Sequence, residues 1–400
     1  MPQIVAPSLG SPEFKANPYP FYARLRAEAP VYRTRALWGV EAWLVTRYDD
    51  VLLVLKDDRF AKEWSPKMPW LARFGLSFAK PLTRNLTNLD PPDHTRLRGL
   101  VNKAFTPRLI ERLRERIQSV CDELLDAAAA NGRMELVRGY ALPLPLTMIA
   151  DLLGIPPQDR LKFHSWATSL VAATSGIGDA LRALPKMWMG RRYLHKLFAQ
   201  RRAQPHDDLV TALVQAEEAG DKLSEDELLS MVGVLLFAGH ETTVNLIGSG
   251  TLALLQHPQQ RDRLQRNPAL AESAVEELLR YTSPAEFATP RVTREEVRIG
   301  PVTIPRRELV FAVLGSANHD ESQFRDPETL DITREPNQHL AFGLGVHFCL
   351  GAPLARLEGQ IALTTLFRRL PTLRLAEAPE LLRWRKGLFL RGLEELPLAF

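Results

Sequence analysis

Residues 342–351, Phe342-Gly-Leu-Gly-Val-His-Phe-Cys-Leu-Gly351, decide how this chain is read. The stretch holds Cys349, one of only 2 cysteines among 400 residues, and glycines at 343, 345 and 351 surround it. Glycine adopts positive φ and lets other backbone come close. The pattern that follows predicts a helix from Leu350 to about Leu370. Cys349 is therefore expected at a strand-to-helix turn, at or near a helix N-terminus, where the macrodipole and unsatisfied N–H groups favour a thiolate. Backbone N–H groups of the glycine turn can also aim at the sulfur and tune it. A lone cysteine is more often an inert core thiol, but a core thiol needs no such turn. Structural zinc fits poorly, because His347 and Cys349 supply two ligands where four are wanted.

Phe342-Gly-x-Gly345-x-His347-x-Cys349-x-Gly351 resembles, at every defining position, the heme-binding signature of the cytochrome P450 family. The resemblance implies a heme b cofactor (iron protoporphyrin IX). Cys349 would be the axial ligand of its iron, Phe342 and Gly351 part of the binding turn, and His347 a propionate donor. A thiolate in that place pushes electron density onto the iron and favours O–O cleavage.

Composition narrows the alternatives. Lys and Arg number 51 against 47 Asp and Glu, a net charge of +4, too slight and too scattered for a nucleic-acid partner. Two cysteines give no disulfide framework and fit a reducing compartment. The N-terminus, Met1-Pro-Gln-Ile-Val-Ala-Pro7, lacks a charged segment followed by an apolar core. A soluble cytoplasmic protein with no membrane anchor is expected. No linker, low-complexity tract or internal repeat divides the chain, so residues 1–400 are expected to form a single domain with an irregular arm at 1–17.

Other constellations follow in order. Residues 60–88 carry Trp64, Trp70, Phe74 and Phe78 with poor periodicity. They read as a packed surface loop, and the resemblance makes it the loop that closes over substrate. In Leu89-Asp-Pro-Pro-Asp-His94-Thr-Arg-Leu-Arg98 the prolines and Asp93 signal a helix start. His94 and Arg98, at i and i+4, share one face and form either a solvated surface or a carboxylate clamp. The resemblance favours the clamp, on a heme propionate. One long helix is expected over Pro107–Ala130, with further helices over 141–153, 157–172, 180–203 and 207–219. The resemblance makes 157–172 and 180–203 a lid, hinged at Thr174-Ser-Gly-Ile-Gly178.

Residues 224–257 give the longest helical pattern, opened by a capping box, Ser224-Glu-Asp-Glu227. It is apolar nearly all round, as in a helix buried at the centre of a large fold. His240, Glu241 and Asn245 at its middle argue against a membrane span. Mid-helix lies Ala238-Gly-His-Glu-Thr-Thr243. A polar kink satisfied by local hydrogen bonds would account for it, whereas a zincin site would need a second histidine where Val244 stands. The sequence also resembles the family's oxygen-activation motif. Ala238 and Gly239 would then leave room for O2, Thr242 would hydrogen-bond the oxygen being activated, and Glu241 would pass protons from solvent.

Glu277 and Arg280 stand at i and i+3 in a helix predicted over 268–281, a spacing common in surface bridges. The resemblance makes them a buried fold-locking pair, with Arg334 as its third member. It makes Arg291 a second propionate contact. The loop 282–290 and a hairpin near Leu388-Phe-Leu-Arg-Gly-Leu393 are expected to reach substrate. Leu235, Ala285, Phe287, Leu388 and Phe389 form the candidate lining together with Ala238. That lining is apolar and suits a hydrophobic small molecule.

The expected fold is mainly α with a smaller β-rich lobe, heme lying between the long central helix and the cysteine-loop helix. The expected reaction is monooxygenation, placing one atom of O2 into substrate by hydroxylation or epoxidation. No flavin or iron–sulfur segment is present, so electrons would come from a ferredoxin or flavodoxin with its NAD(P)H reductase. Two rivals are an H2O2-driven peroxygenase on the same fold and a non-enzymatic heme-thiolate sensor or carrier. Glu241 and Thr242, which serve O2 activation and a proton relay, argue against both.

Overall fold

A computed structural model describes residues 4, 6–35, 40–62, 85–129, 132–172, 177–218 and 223–400. Most of the loop expected at 60–88, and most of the expected hinge at 174–178, lie outside the described residues. The chain divides into two compact units. The first comprises Met1–Lys62, Arg114–Pro143 and Thr242–Phe400, and the second Glu63–Leu113 and Leu144–Glu241.

All the described strands belong to the first unit. They are β1 (Val31–Arg35), β2 (Glu41–Val45), β3 (Phe60–Ala61), β4 (Arg133–Glu135), β5 (Arg291–Thr293), β6 (Val297–Ile299), β7 (Val302–Ile304), β8 (Leu309–Ala312), β9 (Arg374–Leu375) and β10 (Pro397–Ala399). The largest sheet runs β1-β2-β8-β5-β3. Its β2 and β8 are parallel, Leu44 opposite Phe311, and its other pairs antiparallel. Smaller sheets are β4-β10-β9 and β6-β7. One core cluster holds Val45, Val51, Leu55, Phe60, Val310 and Phe324. A second holds Phe14, Tyr22, Leu25, Leu44, Phe287, Phe311 and Leu388.

The helices outnumber and outweigh these strands. In the first unit, Ala352–Arg369 lies beside Arg114–Ala129. Gln118 Nε2 donates to Thr365 Oγ1 at 3.1 Å, Arg369 Nη1 to Asp122 Oδ1 at 3.1 Å, and Tyr140 Oη, from the neighbouring π-turn, to the Ala362 carbonyl at 2.8 Å. In the second unit, Asp93–Ala104, Arg160–Ala172, Ile177–Ala203 and Leu209–Glu218 bury Leu97, Leu100, Phe163, Phe198 and Leu213. Arg201 ties the last turns of Ile177–Ala203 to Asp208 Oδ2 (2.5 Å) and the Gly154 carbonyl (2.8 Å).

The central helix, Glu225–Gln256, is 32 residues long, about 48 Å. Its capping box forms as the spacing predicts: Ser224 N donates to Glu227 Oε2 at 2.8 Å, and Glu227 N to Ser224 Oγ at 3.2 Å. By length and composition alone it could cross a membrane, but 71% of its apolar window is buried inside the protein. A central core helix has this same signature.

Three expectations change. The arm is not wholly irregular, because Pro12–Ala16 is helical, with Ser11 Oγ accepting from Phe14 N at 3.3 Å. A serine followed by proline at N1 is a start signal that the composition of the arm obscured. The long helix at 107–130 is two helices, Pro107–Arg112 and Arg114–Ala129. Finally, turns rather than a strand lead into Cys349, and the helix after it begins at Ala352, where Pro353 favours a first turn.

Candidate functional site: the cysteine turn and the central helix

The cysteine turn is built on backbone. A 3-10 turn, Gly345–His347, precedes Phe348, whose N–H donates to the Gly345 carbonyl at 3.0 Å. Cys349 N donates to the Phe342 carbonyl at 3.0 Å, closing the loop. Gly345 has φ +76, and a Cβ there would meet the Leu55 carbonyl oxygen at 3.0 Å. Both the conformation and the close approach require glycine. Cys349 is half-buried, ahead of the first turn of Ala352–Arg369.

The positive charge beside this turn was not anticipated from the sequence. Arg356, one turn into the helix, donates from Nε and Nη2 to Glu276, both at 2.7 Å. Its guanidinium lies over the Phe342 ring at 4.6 Å. His339 Nε2 also faces Glu276 Oε2 at 3.2 Å. Burial opposes ionisation of Glu276, yet the bonds from Arg356 and His339 outweigh it and bring its pKa to about 2. The bond to Glu276 raises the pKa of Arg356, and attraction to the Cys349 sulfur adds to it. A fixed cation thus sits where it favours a thiolate. The available signal was an arginine seven residues after Cys349, early in the predicted helix.

Donor chemistry tests which group these residues suit. Among the described residues no group of three or more His, Cys, Asp or Glu side chains could hold a metal ion. One thiolate donor in a glycine turn suits an iron whose remaining ligands come from its own macrocycle. It does not suit a protein-only metal centre. The residues present therefore fit heme.

The other expected site residues fall as follows. In the first unit, Arg291 begins β5, is buried, and donates from Nη1 to the Phe60 carbonyl at 3.2 Å. His347 is half-buried in the cysteine turn. The turn's Gly345 and Arg291 thus both meet the short segment 55–60. Thr242 is half-buried. In the second unit, His94 is buried and Arg98 half-buried on Asp93–Ala104. Ala238 is exposed in the middle of a helix that is otherwise mostly buried, and Glu241 is half-buried. Gly239 faces packing rather than open space, since a Cβ there would meet Ile149 Cδ1 at 3.2 Å. Leu235 is 9% exposed. His240 Nδ1 pairs with the Leu236 carbonyl at 2.6 Å along its own helix.

Glu277, Arg280 and Arg334 do meet. Arg280 donates to Glu277 Oε2 and Oε1, each at 2.8 Å, and Arg334 Nε to both oxygens at 3.1 Å. The Glu277–Arg280 pair is wholly buried, and Arg280 also reaches the Asn318, Pro327 and Thr329 carbonyls. These bonds staple the helix Ala271–Thr282 to the segment leading into the cysteine turn.

Two of the candidate lining residues sit deeper than the others. Phe287 and Leu388 are each 3% exposed and lie in the core cluster with Phe14, Tyr22 and Phe311. Phe287 packs edge-on against Tyr22 and Phe311. Both side chains fill the core, whereas Ala285 and Phe389 are only partly buried. In an irregular loop no periodicity separates more buried from less buried residues, so depth was not legible in the sequence. Glu286, a carboxylate in the same loop, is fully buried, and sequence reasoning passed over it.

Comparison with known proteins agrees with this geometry. The Cytochrome P450 family model matches residues 186–373. The chain is 48% identical to Cytochrome P450 107B1 of Saccharopolyspora erythraea, covering 94% of this chain and 93% of that protein. It is 41% identical to the 6-deoxyerythronolide B hydroxylase of the same organism, covering 98% of each. The solved structure of PksS, a Bacillus subtilis 168 bacillaene polyketide synthase cytochrome P450, superposes with a TM-score of 0.92 at 43% identity over 99% of each chain. On a single cysteine in a glycine turn, a mostly helical fold and 41–48% identity over nearly the whole length of these relatives, the chain belongs to the cytochrome P450 family and is a heme-thiolate monooxygenase.

Proposed function

We propose that this monooxygenase hydroxylates or epoxidises a hydrophobic molecule of the polyketide class in the bacterial cytoplasm. The cofactor would be heme b, and electrons would come from a separate ferredoxin or flavodoxin with its NAD(P)H reductase. A relative's name supports the substrate class, since PksS is a polyketide biosynthesis cytochrome P450. The apolar character of Ala238, Ala285 and Phe389 supports hydrophobicity.

Bound heme supplies the one-electron and O2 chemistry that no side chain can. The protein's part is to hold, exclude and deliver. Cys349 holds the iron, with Arg356 stabilising its negative charge. His94, Arg98, Arg291 and His347 are cationic or hydrogen-bonding partners for carboxylates and are assigned to the propionates. Phe342 and Gly351 shape the turn, and Ala238, without a bulky side chain, leaves room beside the central helix. Thr242 holds a proton at its hydroxyl, and Glu241, half-buried one residue earlier, exchanges protons with solvent. Ala285, Phe389 and Leu235 line the substrate site. The two units are read as one functional domain over residues 1–400.

One observation carries the reading: Cys349 in a glycine turn, half-buried, with the Arg356 guanidinium over the Phe342 ring of that turn. Reduced holoprotein under carbon monoxide tests it. A Soret band at the long-wavelength thiolate position, absent from Cys349→Ala, is expected. A band at the histidine-ligated position would overturn it. Turnover supported by H2O2 but by no ferredoxin or flavodoxin chain would favour the peroxygenase.

A further inference from the structure

A buried ion pair joins the N-terminal arm to the two segments read above as reaching substrate. Lys15, at the end of the helix Pro12–Ala16, is wholly buried, as is Glu286. Lys15 Nζ donates to Glu286 Oε2, and also to the Leu388 carbonyl at 2.7 Å. Tyr22 Oη donates to Glu286 Oε1. One carboxylate thus receives two donors from the first 22 residues of the chain.

The two segments are also zipped together. Glu286 N and Phe287 N donate to the Phe389 carbonyl at 2.9 and 3.3 Å, Arg391 N donates to the Pro284 carbonyl at 3.0 Å, and Ala285 bridges Leu390. Arg391 closes the other side of the arm. Its Nε donates to the Lys15 carbonyl at 2.8 Å, Nη2 to the Ala16 carbonyl at 3.1 Å and Nη1 to the Thr282 carbonyl at 3.2 Å. Gly387 N donates to the Gly10 carbonyl at 3.0 Å. A polar network buried to this depth holds its members in one arrangement, because any slip leaves a charge or carbonyl unpaired. A merely adhesive arm would use apolar contacts, and Phe14 already supplies those.

We propose that the Lys15–Glu286–Arg391 network is a positioning device by which the N-terminal arm sets where Ala285 and Phe389 stand, and so determines which carbon of the substrate is oxidised. This rests on the reading of Ala285 and Phe389 as lining residues. Lys15 and Glu286 touch no substrate. They act through the backbone of 284–288 and 388–391. The charge facing the pair is Arg391, whose guanidinium lies over the Tyr19 ring at 5.2 Å, and burial keeps the Tyr19 and Tyr22 phenols neutral.

Holoprotein with Lys15→Met, and with Lys15→Met combined with Glu286→Gln, tests the proposal, using myristic acid as the hydrophobic probe. Lys15→Met leaves Glu286 buried without its cation. In the double variant a neutral amide can accept from Tyr22 and donate to the Leu388 carbonyl. Expected for Lys15→Met are an unchanged carbon-monoxide spectrum, amide exchange at Glu286, Phe287 and Arg391 faster by about tenfold, a spectral dissociation constant raised about tenfold, and a broadened distribution of hydroxylated positions. The double variant recovers a narrow distribution and most of the affinity. Phe389→Ala and Ala285→Val are measured alongside. If they alter affinity and positions while Lys15→Met alters neither, the network is structural only and the inference falls. If all of them leave affinity and positions unchanged, the lining assignment itself is wrong and the inference falls with it. Faster exchange with unaltered positions would also overturn it.

Discussion

The two cysteines of this chain are the same residue in opposite surroundings. Cys121 lies on Arg114–Ala129, fully buried. Burial pushes its pKa up to about 12, against a hydrogen bond with Tyr140. Cys349 lies half-buried in a turn, with a helix beginning beyond it and the Arg356 guanidinium at hand. One is a small hydrophobe and the other the proposed iron ligand. Depth and neighbouring charge make the difference, and neither is a property of the residue type. Two buried glutamates repeat the contrast. Glu277 faces Arg280 and Arg334. Glu358, on the cysteine helix, has Thr243 for its polar neighbour, and among the described residues neither of its oxygens makes a hydrogen bond of ordinary geometry. Burial, only partly opposed by Thr243, raises its pKa to about 8.

The largest expected effect breaks the cysteine contrast directly. Cys349→Ala should lose the thiolate-ligated spectrum and turnover completely, while Cys121→Ala keeps both; a thiolate spectrum surviving in the first variant would refute the assignment. Next come the glutamates. Arg280→Met leaves Glu277 charged and buried with one partner fewer, and chemical denaturation should show a loss of about 3–5 kcal/mol.

Glu358→Gln should do the reverse. The folded pKa of Glu358 stands above its unfolded value of 4.5, so the folded state binds the extra proton. Stability is then greatest below pH 4.5, falls as pH rises through the interval to about 8, and levels off beyond. Glutamine removes this dependence. The variant should match wild type near pH 4 and exceed it near pH 9 by roughly 2 kcal/mol or more in urea melts. Parallel stability curves for the two proteins would show that Glu358 is ionised at little cost.

A smaller effect isolates the cation. In heme-free protein, Arg356→Met should slow alkylation of Cys349 by iodoacetamide by about tenfold at neutral pH. Cys121 should stay unreactive in both proteins. The smallest effect is on stability alone: Cys121→Ala removes a buried sulfur and a hydrogen bond, costing about 1–2 kcal/mol.

Much of this was legible in the chain. The glycine spacing around Cys349, the capping box at Ser224–Glu227 and the 32-residue central helix depend on neighbours a few residues apart, so local pattern exposes them. The Glu277–Arg280 spacing was visible too, but i, i+3 describes a surface bridge equally well. Only the third partner, Arg334, 57 residues away, together with complete burial, separates the readings.

Sequence alone determined the glycine turn around Cys349, the family and the predominance of helix, because short-range spacing and backbone conformation carry them. Tertiary structure decided what each polar or apolar side chain faces. It put Phe287 and Leu388 in the core, Arg356 beside the sulfur, and Lys15 against Glu286, 271 residues away. Burial and charge pairing are sums over neighbours distant in the chain. No window of sequence contains them, and they make one cysteine a core thiol and leave the other half-buried at a turn, where it is the proposed iron ligand.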